Sequence, residues 1–451
     1  MLVEKSRRFN VGQRVSSLPE MTLNHLQKKI LFTLMFLAIY RIGIHVPIPG
    51  VDATALSQFF KGQGANLLGM FNMFSGGALE RFSIFALGVM PYISASIIAQ
   101  LLTVVIPHLE ALSKEGDAGR KKITQYTRYG TILLALVQGM MIAKGLASAD
   151  FGGGQLVQDS GMGWLLLTTL SLTAGTAFVM WLGEQITERG VGNGISLIIF
   201  AGIVAGLPSV ISNTYSKYNS AEMEMVQIFM LIVVVVVITA GVVFMEQGAR
   251  QVPIQYAKRQ VGKRVYGGQT SHLPIRVNAA GVIPPIFASS LLQLPVTVAQ
   301  VSEGTPISNF INTVMIPGGW LYNLIYMVLI IFFAFFYTSI QFKPDDIAEN
   351  LKKHGGFIPG IRPGARTSEY LGRVINRLTL TGAIYLAAIC LVPSIVTDKF
   401  NVQFYFGGTS LLIIVGVALE TFRQIDAHRQ SLRYEAFLKK GSVRPRGQRR
   451  G

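Results

Sequence analysis

Charge is scarce in this chain, and negative charge scarcest: 23 Asp and Glu stand against 40 Lys and Arg, and charged residues make up 14% of the 451. Ordinary soluble domains carry about a quarter charged residues, so a chain that faces water over its whole surface is excluded. Cysteine is nearly absent. The single Cys390, inside an apolar run, rules out a disulfide framework and a thiolate metal site and reads as a small buried hydrophobe. The histidines His25, His45, His108, His272, His354 and His428 all fall in connections or at the ends of apolar stretches. No HExxH, paired aspartates or nucleophile–base pattern appears, which counts against an intramembrane hydrolase. Ionisable residues are also missing from the middle of every apolar stretch: Arg41, Arg128, Lys144, Glu184, Arg377 and Glu420 lie toward the ends. An ion-coupled transporter or proton pump would need such groups near mid-bilayer. The RGVGNG run at Arg189 lacks the preceding strand and the Lys-Ser/Thr ending of a phosphate loop, and reads as a tight turn.

What the chain has in abundance is apolar length. Half its residues are hydrophobic and its mean hydropathy is +0.45, the composition of a polytopic membrane protein. Ten stretches reach the roughly 20 residues a spanning helix needs: about 27–46, 82–106, 122–147, 163–183, 193–212, 225–246, 277–300, 319–342, 374–393 and 404–421. The first apolar run follows Lys29 without a small-residue cleavage site and is expected to be retained. An even number of spans puts both tails, 1–26 and 422–451, on one side. Of the 40 basic residues only Arg41, Lys61, Arg81, Lys144, Lys217 and Lys399 fall on the opposite side, so both termini are expected in the cytoplasm.

The chain is also written twice. GVMPYISASIIAQLL from Gly88 and GVIPPIFASSLLQLP from Gly281 share eight of fifteen positions, and GISLIIFAGIV from Gly194 meets GTSLLIIVGVA from Gly408 at Gly, Ser, Leu, Ile and Gly. Five spans separate the members of each pair, an odd number, so the halves 27–212 and 213–421 are expected to be inverted in the membrane. Inverted halves place a functional site near mid-bilayer on the axis between them. The expected fold class is therefore all-α, with ten transmembrane helices in two inverted five-helix halves around a central pore.

On that axis the repeat carries branched aliphatics at helical spacing: Val89 and Ile93, Val282 and Ile286, Ile195 and Ile199, with Thr409 and Ile413. Either they pack helices together, or they form a ring that closes a water path by dewetting. Asn66 to Arg81 is apolar but too short to cross and is broken by Gly76-Gly77. It is either an interfacial amphipathic helix or a re-entrant plug seated in a central cavity. Two basic connections stand apart. Residues 247–276 hold six basic and no acidic residues between strand-like runs, as a projecting hairpin would, and in 343–373 Pro359 and Pro363 stiffen the chain around Arg362, a plausible docking contact.

Taken together, FNMFSGGALERFSIFALGVMPYISASIIAQLL, GEQITERGVGNGISLIIFAGIVAG, HLPIRVNAAGVIPPIFASS, PGIRPG and FYFGGTSLLI resemble the SecY/Sec61-alpha family of protein-translocating channel subunits, from about residue 24 to 440. The resemblance implies a channel that moves unfolded secretory polypeptides across the bacterial inner membrane and inserts membrane proteins into it, not an enzyme, with no cofactor. It implies a pore ring of Val89, Ile93, Ile195, Ile199, Ile286 and Ile413, with Val89 where isoleucine is expected. It implies a plug that includes Leu67, Leu68, Met70, Phe71, Met73, Phe74, Ser75, Gly76 and Gly77. Segments 2 and 3 would part from 7 and 8 as a lateral gate for signal sequences, with Gln100 and Asn278 as polar members. Lys258, Arg259, Lys263 and Arg264 would meet ribosomal RNA or a motor, and Arg362 the SecA motor ATPase. SecE and SecG, the ribosome, nascent polypeptides and the lipid bilayer are the other implied partners. Because the sequence has no nucleotide site, the energy for transport must come from outside the chain.

Overall fold

The structure is a computed structural model that describes residues 17–51, 56, 72, 75–148, 150–151, 154–155, 157, 161–220, 223–256, 259–261, 264–266, 270–301, 306, 319–400 and 408–441. It is mostly helical. In chain order the helices are α1 (Ser17–Gly43), α2 (Met90–Val105), α3 (Pro107–Lys114), α4 (Asp117–Ser148), α5 (Met162–Arg189), α6 (Gly194–Asn219) and α7 (Met225–Gln247), followed by α8 (Ile283–Val301), α9 (Trp320–Gln341), α10 (Pro344–Lys353), α11 (Ala365–Phe400) and α12 (Gly408–Gly441). Each of the ten expected stretches holds a helix. Among the described residues, six segments are long and apolar enough to cross a bilayer, and α2 with α3, bent by 100° between them, makes a broken seventh. Pro107, at the start of α3, accounts for the break, since proline opens a helix readily but cannot continue the one before it.

The repeat survives into the fold with the same phase. The helices α2 and α8 begin at Met90 and Ile283, which are equivalent positions of the first repeat, and α6 and α12 begin at Gly194 and Gly408, equivalent positions of the second. Ahead of α2 and α8 the paired glycines Gly88 and Gly281 both take positive φ, +55° and +64°. That left-handed turn suits glycine and resets the chain before the helix starts.

These turns correct two expected boundaries. The stretches beginning at 82 and 277 are helical only from 90 and 283, because apolar composition reads straight through irregular backbone when that backbone is buried in protein. Phe82, Ser83, Phe85, Ala86 and Leu87 are each 2% exposed or less. Their polar groups are satisfied locally, as membrane depth requires: Ile48 N–H donates to Phe82 (2.9 Å), Ile84 N–H to Val46 (3.1 Å) and Ser83 N–H to Ala78 (2.9 Å). The last two spans also run past their expected ends, α11 from Ala365 to Phe400 and α12 to Gly441.

Helix α4 packs against α2, α5 and α8; α9 lies between α8 and α11; α12 joins α6, α7 and α11. One continuous apolar core collects Tyr40 of α1, Ile93 of α2, Val179 of α5, Ile199 of α6, Ile286 of α8, Phe333 of α9, Leu386 of α11 and Ile413 of α12. The RGVGNG run is a turn. Asn193 caps α6 by accepting from the N–H groups of Ile195 (3.1 Å) and Ser196 (3.3 Å), a cap typically contributing about 1 kcal/mol.

Small sheets supplement the helices. The short strands β1 (Asp150–Phe151) and β2 (Gly154–Gln155) pair with each other; β3 (Ala249–Tyr256) and β6 (Thr270–Arg276) form the expected hairpin, antiparallel with Val252 opposite Leu273. Its tip carries β4 (Arg259–Val261) and β5 (Arg264–Tyr266). A strand from the second basic connection, β7 (Gly356–Phe357), adds to β3 with Gln255 opposite Phe357. Beneath this sheet Val252, Ile275, Ile358, Leu371 and Ile375 make a separate small core, so the two basic connections form one unit.

Candidate functional site

The six expected ring residues share one core. Val89, Ile93, Ile199, Ile286 and Ile413 are 7% exposed or less and belong to the one central core, with Ile195 half-buried against it. They come from α2, α6, α8, α12 and the turn before α2, so no single helix could supply the set. Close approaches to helix glycines seat Ile195 and Val282, the neighbour of Ile286 by one turn. Ile195 lies over Gly183 of α5, where a methyl would sit 2.3 Å from Ile195 Cδ1, and Val282 lies over Gly416 of α12, where the corresponding distance is 2.4 Å to its Cγ1.

Ile93, Ile195, Ile199 and Ile286 also line a cavity of about 400 Å³. The rest of its lining is mixed, with Gln100, Arg128, Glu184 and Asn193 polar or charged and Ile283 and Phe287 apolar. Ile93 and Gln100 lie seven residues apart on α2, about 10 Å along the axis at the rise of an α-helix. The cavity therefore reaches from aliphatic side chains at the level of Ile93 to polar ones at the level of Gln100. Arg128 and Glu184 meet across α4 and α5 in a two-pronged ion pair, Nε to Oε1 and Nη2 to Oε2, both 2.8 Å. Bidentate geometry of this kind fixes both side chains.

Of the expected plug, Leu67, Leu68, Met70, Phe71, Met73 and Phe74 lie outside the described residues. Ser75, Gly76 and Gly77 are described; Ser75 is buried and the two glycines are half-buried. Tyr40 O–H donates to the Ser75 carbonyl (3.1 Å) and Arg41 Nη1 to the Gly76 carbonyl (2.9 Å). A methyl on Gly76 would lie 2.8 Å from Gly202 Cα of α6, and Ala78, fully buried, belongs to the same core as the ring. Gly76 and Gly77 adopt positive φ, +71° and +85°, so the glycine break makes a real turn.

The two gate residues have separate partners. Gln100 Nε2 donates to Ser96 Oγ (3.4 Å) on α2 and faces the cavity. Asn278, 4% exposed, donates to Glu246 Oε1 and to the Gly281 carbonyl (3.1 Å). Of the helices expected to part, α2 and α4 on one side and α8 and α9 on the other, α8 touches both α2 and α4, and Ser290 Oγ of α8 reaches Met90 Sδ of α2 at 3.7 Å.

Of the expected docking residues, Lys258 and Lys263 lie outside the described residues. Arg259 and Arg264 stand in the paired strands of the hairpin tip, in the registers Arg259–Tyr266 and Arg264–Val261. Arg362 is exposed on a tight loop between Gly360 (φ +80°) and Gly364 (φ +103°). Thr367 Oγ1 donates to its carbonyl (3.1 Å), and buried Ile358 anchors the loop to the small core. The backbone is thus held while the guanidinium is free to reach outward.

A sequence model of the SecY family matches residues 83–422. The chain belongs to the SecY family. Its relatives include the SecY subunit of the Escherichia coli K12 protein translocase, 50% identical over 428 residues that cover 94% of this chain and 96% of that protein. The SecY of Streptomyces galbus is 49% identical over 425 residues, 92% and 97% of the two chains. In fold the chain is similar to a solved protein-conducting channel, with a TM-score of 0.64 at 16% identity over 90% of this chain and 93% of that one. Sec61 in the canine ribosome–channel complex gives 0.59, also at 16% identity over 90% and 93%.

Two features of this SecY-family chain escape sequence reasoning. The Arg128–Glu184 pair joins residues 56 apart, and the only hint is that both charges stand near the ends of neighbouring spans. Glu246 is a buried carboxylate at the end of α7, 8% exposed, and nothing in its local sequence marks it as a partner of Asn278.

Proposed function

We propose that this chain is the pore-forming subunit of a protein translocase, a passive channel through which unfolded polypeptides are moved by an external motor. The observation that carries this reading is that four branched aliphatics from both repeats, Ile93, Ile195, Ile199 and Ile286, line one partly polar cavity in a chain of the SecY family, with Val89 and Ile413 in the same core. An aliphatic constriction seals against ions by excluding water, yet yields to an extended chain because it makes no directional bonds. The ring is Val89, Ile93, Ile195, Ile199, Ile286 and Ile413, and the 66–81 segment is its plug. Helices α2 and α4 part from α8 and α9 to admit signal sequences and release membrane segments to lipid.

The basic side, with both tails and the sheet of β3, β6 and β7, faces the cytoplasm, and the chain resides in a bacterial inner membrane. There the hairpin tip meets the ribosome, and Arg362 meets a SecA motor. The likeness to Sec61 in a ribosome–channel complex supports the first of these. SecE and SecG complete the complex.

A photoreactive residue in place of Ile199 tests the reading directly. It should form an adduct with a secretory chain stalled in transit, whereas the same probe at the lipid-facing Val236, 60% exposed, should not. Equal labelling at the two positions, or none at Ile199, contradicts a central path.

A further inference from the structure

The two ring turns are equivalent in backbone but held by opposite means. The repeat places Phe85 and Asn278 at corresponding positions, three residues before Gly88 and Gly281. Phe85 is buried and stacks on Tyr40 and Phe178, with ring centroids 5.9 Å apart in each case. Asn278 is as deeply buried but bonds through one amide to two acceptors, the Glu246 carboxylate and the Gly281 carbonyl.

Glu246 is more than a partner for that amide. Its own carbonyl accepts from Arg423 Nη2 of α12 (2.6 Å), and α12 also carries Ile413. Two residues beyond it, the Gly248 carbonyl accepts from Val277 N–H (3.0 Å), closing the base of the β3–β6 hairpin. Glu246 thus stands where the hairpin, the turn into α8 and the helix α12 join. Apolar packing would serve to glue these elements together. A carboxylate buried among apolar helices is costly unless it stays hydrogen-bonded, so its arrangement has few alternatives and couples the elements that satisfy it.

We propose that Glu246 and Asn278 form a positioning pair that sets the Gly281 turn, and with it the seating of Val282 and Ile286, so that movement of the hairpin reaches the pore. The pair touches no translocating chain; it acts through the turn. This rests on the channel reading above and adds to it a route from the docking surface to the seal.

The test is resting ion conductance per channel in planar bilayers, using the full chain with whatever subunits co-purify from its own membrane, normalised to protein. Asn278→Asp sets a second carboxylate against the first, and conductance should rise at least tenfold. The swap Glu246→Gln with Asn278→Asp restores the bond between the two side chains in reversed roles but supplies no donor to the Gly281 carbonyl, so conductance should fall only part of the way back toward the parent value. Asn278→Leu, which removes both hydrogen bonds at similar volume, should leak several-fold and serves as the deciding variant should Asn278→Asp fail to accumulate. Ile199→Asn is measured alongside. Should it leak while both Asn278 variants stay sealed, the positioning pair is wrong and the channel reading stands. Silence from all of them overturns both. A swap as leaky as Asn278→Asp, or variants that lose thermal stability with unchanged conductance per channel, reduces the pair to packing.

Discussion

The second repeat, like the first, uses one element twice with different neighbours. Gly202 of α6 and Gly416 of α12 are equivalent residues, and both permit a close approach that no side chain would. Against Gly202 lies Gly76, at the end of the plug segment; against Gly416 lies Val282, beside the ring. The first half is therefore braced from the side of the 46–88 segment, by stacked aromatics and by Tyr40 and Arg41 holding the Ser75 and Gly76 carbonyls. The second half is braced from the basic side, by the hairpin base and the Glu246–Asn278 pair. The lesson is that repetition fixes the backbone of a pore, while the side chains around each copy decide which face of the membrane can act on it.

The largest effect expected from this division belongs to the docking surface, which only the second half carries. Arg362→Glu should abolish motor-driven secretion in a reconstituted assay while leaving abundance intact, and Arg362→Lys should rescue only in part because it lacks the planar fork of donors. Normal secretion by the Glu variant would remove Arg362 from docking. Next is the seal of the first half: deleting Leu67 to Phe74, which leaves the anchored Ser75 and Gly76 in place, should yield an abundant protein with a large resting leak. A deletion variant with parental conductance would mean that the ring seals alone. Smaller effects compare the repeat glycines. A methyl at Gly194 would lie 1.9 Å from the Gly183 carbonyl oxygen, a backbone atom that cannot step aside, whereas one at Gly416 meets only Val282 Cγ1 at 2.4 Å. Overpacking of this sort costs about 1–3 kcal/mol. Gly194→Ala should fall at the upper end of that range and Gly416→Ala at the lower, read as thermal unfolding of the purified protein. The reverse order would mean that α5 and α6 are less tightly apposed than Gly183 and Gly194 imply.

Much of this architecture is legible in the sequence because it is local or repeated. The hairpin follows from alternating strand-like runs around a basic tip, and the turn before α6 from a glycine-rich run ending in a capping Asn. The shared core of Ile93, Ile199, Ile286 and Ile413 follows from the repeat, since equivalent helices bring equivalent residues together. What sequence reading misses is non-local or hidden by composition. The starts of α2 and α8 were not legible, because Phe82 to Leu87 are as apolar as any helix and only their burial in protein allows them to be irregular. The strand β7 pairs with β3 across about a hundred residues, and its two-residue length, Gly356–Phe357, leaves no periodicity to detect. Glu246 and Asn278 are each unremarkable in their own segments, and only the fold makes them partners.

The central claim is that Ile93, Ile199, Ile286 and Ile413 seal by apolar bulk, and ion flux per channel in liposomes, normalised to protein, tests it most directly. Ile199→Leu should be nearly silent, Ile199→Ala mildly leaky and Ile199→Asn clearly leaky, since a polar group holds water in the constriction. A role in packing alone gives another order, with stability falling by about 2–5 kcal/mol for Ile199→Ala and flux following abundance instead of polarity. Equal flux per channel from all three variants would contradict the pore ring and return these isoleucines to the core.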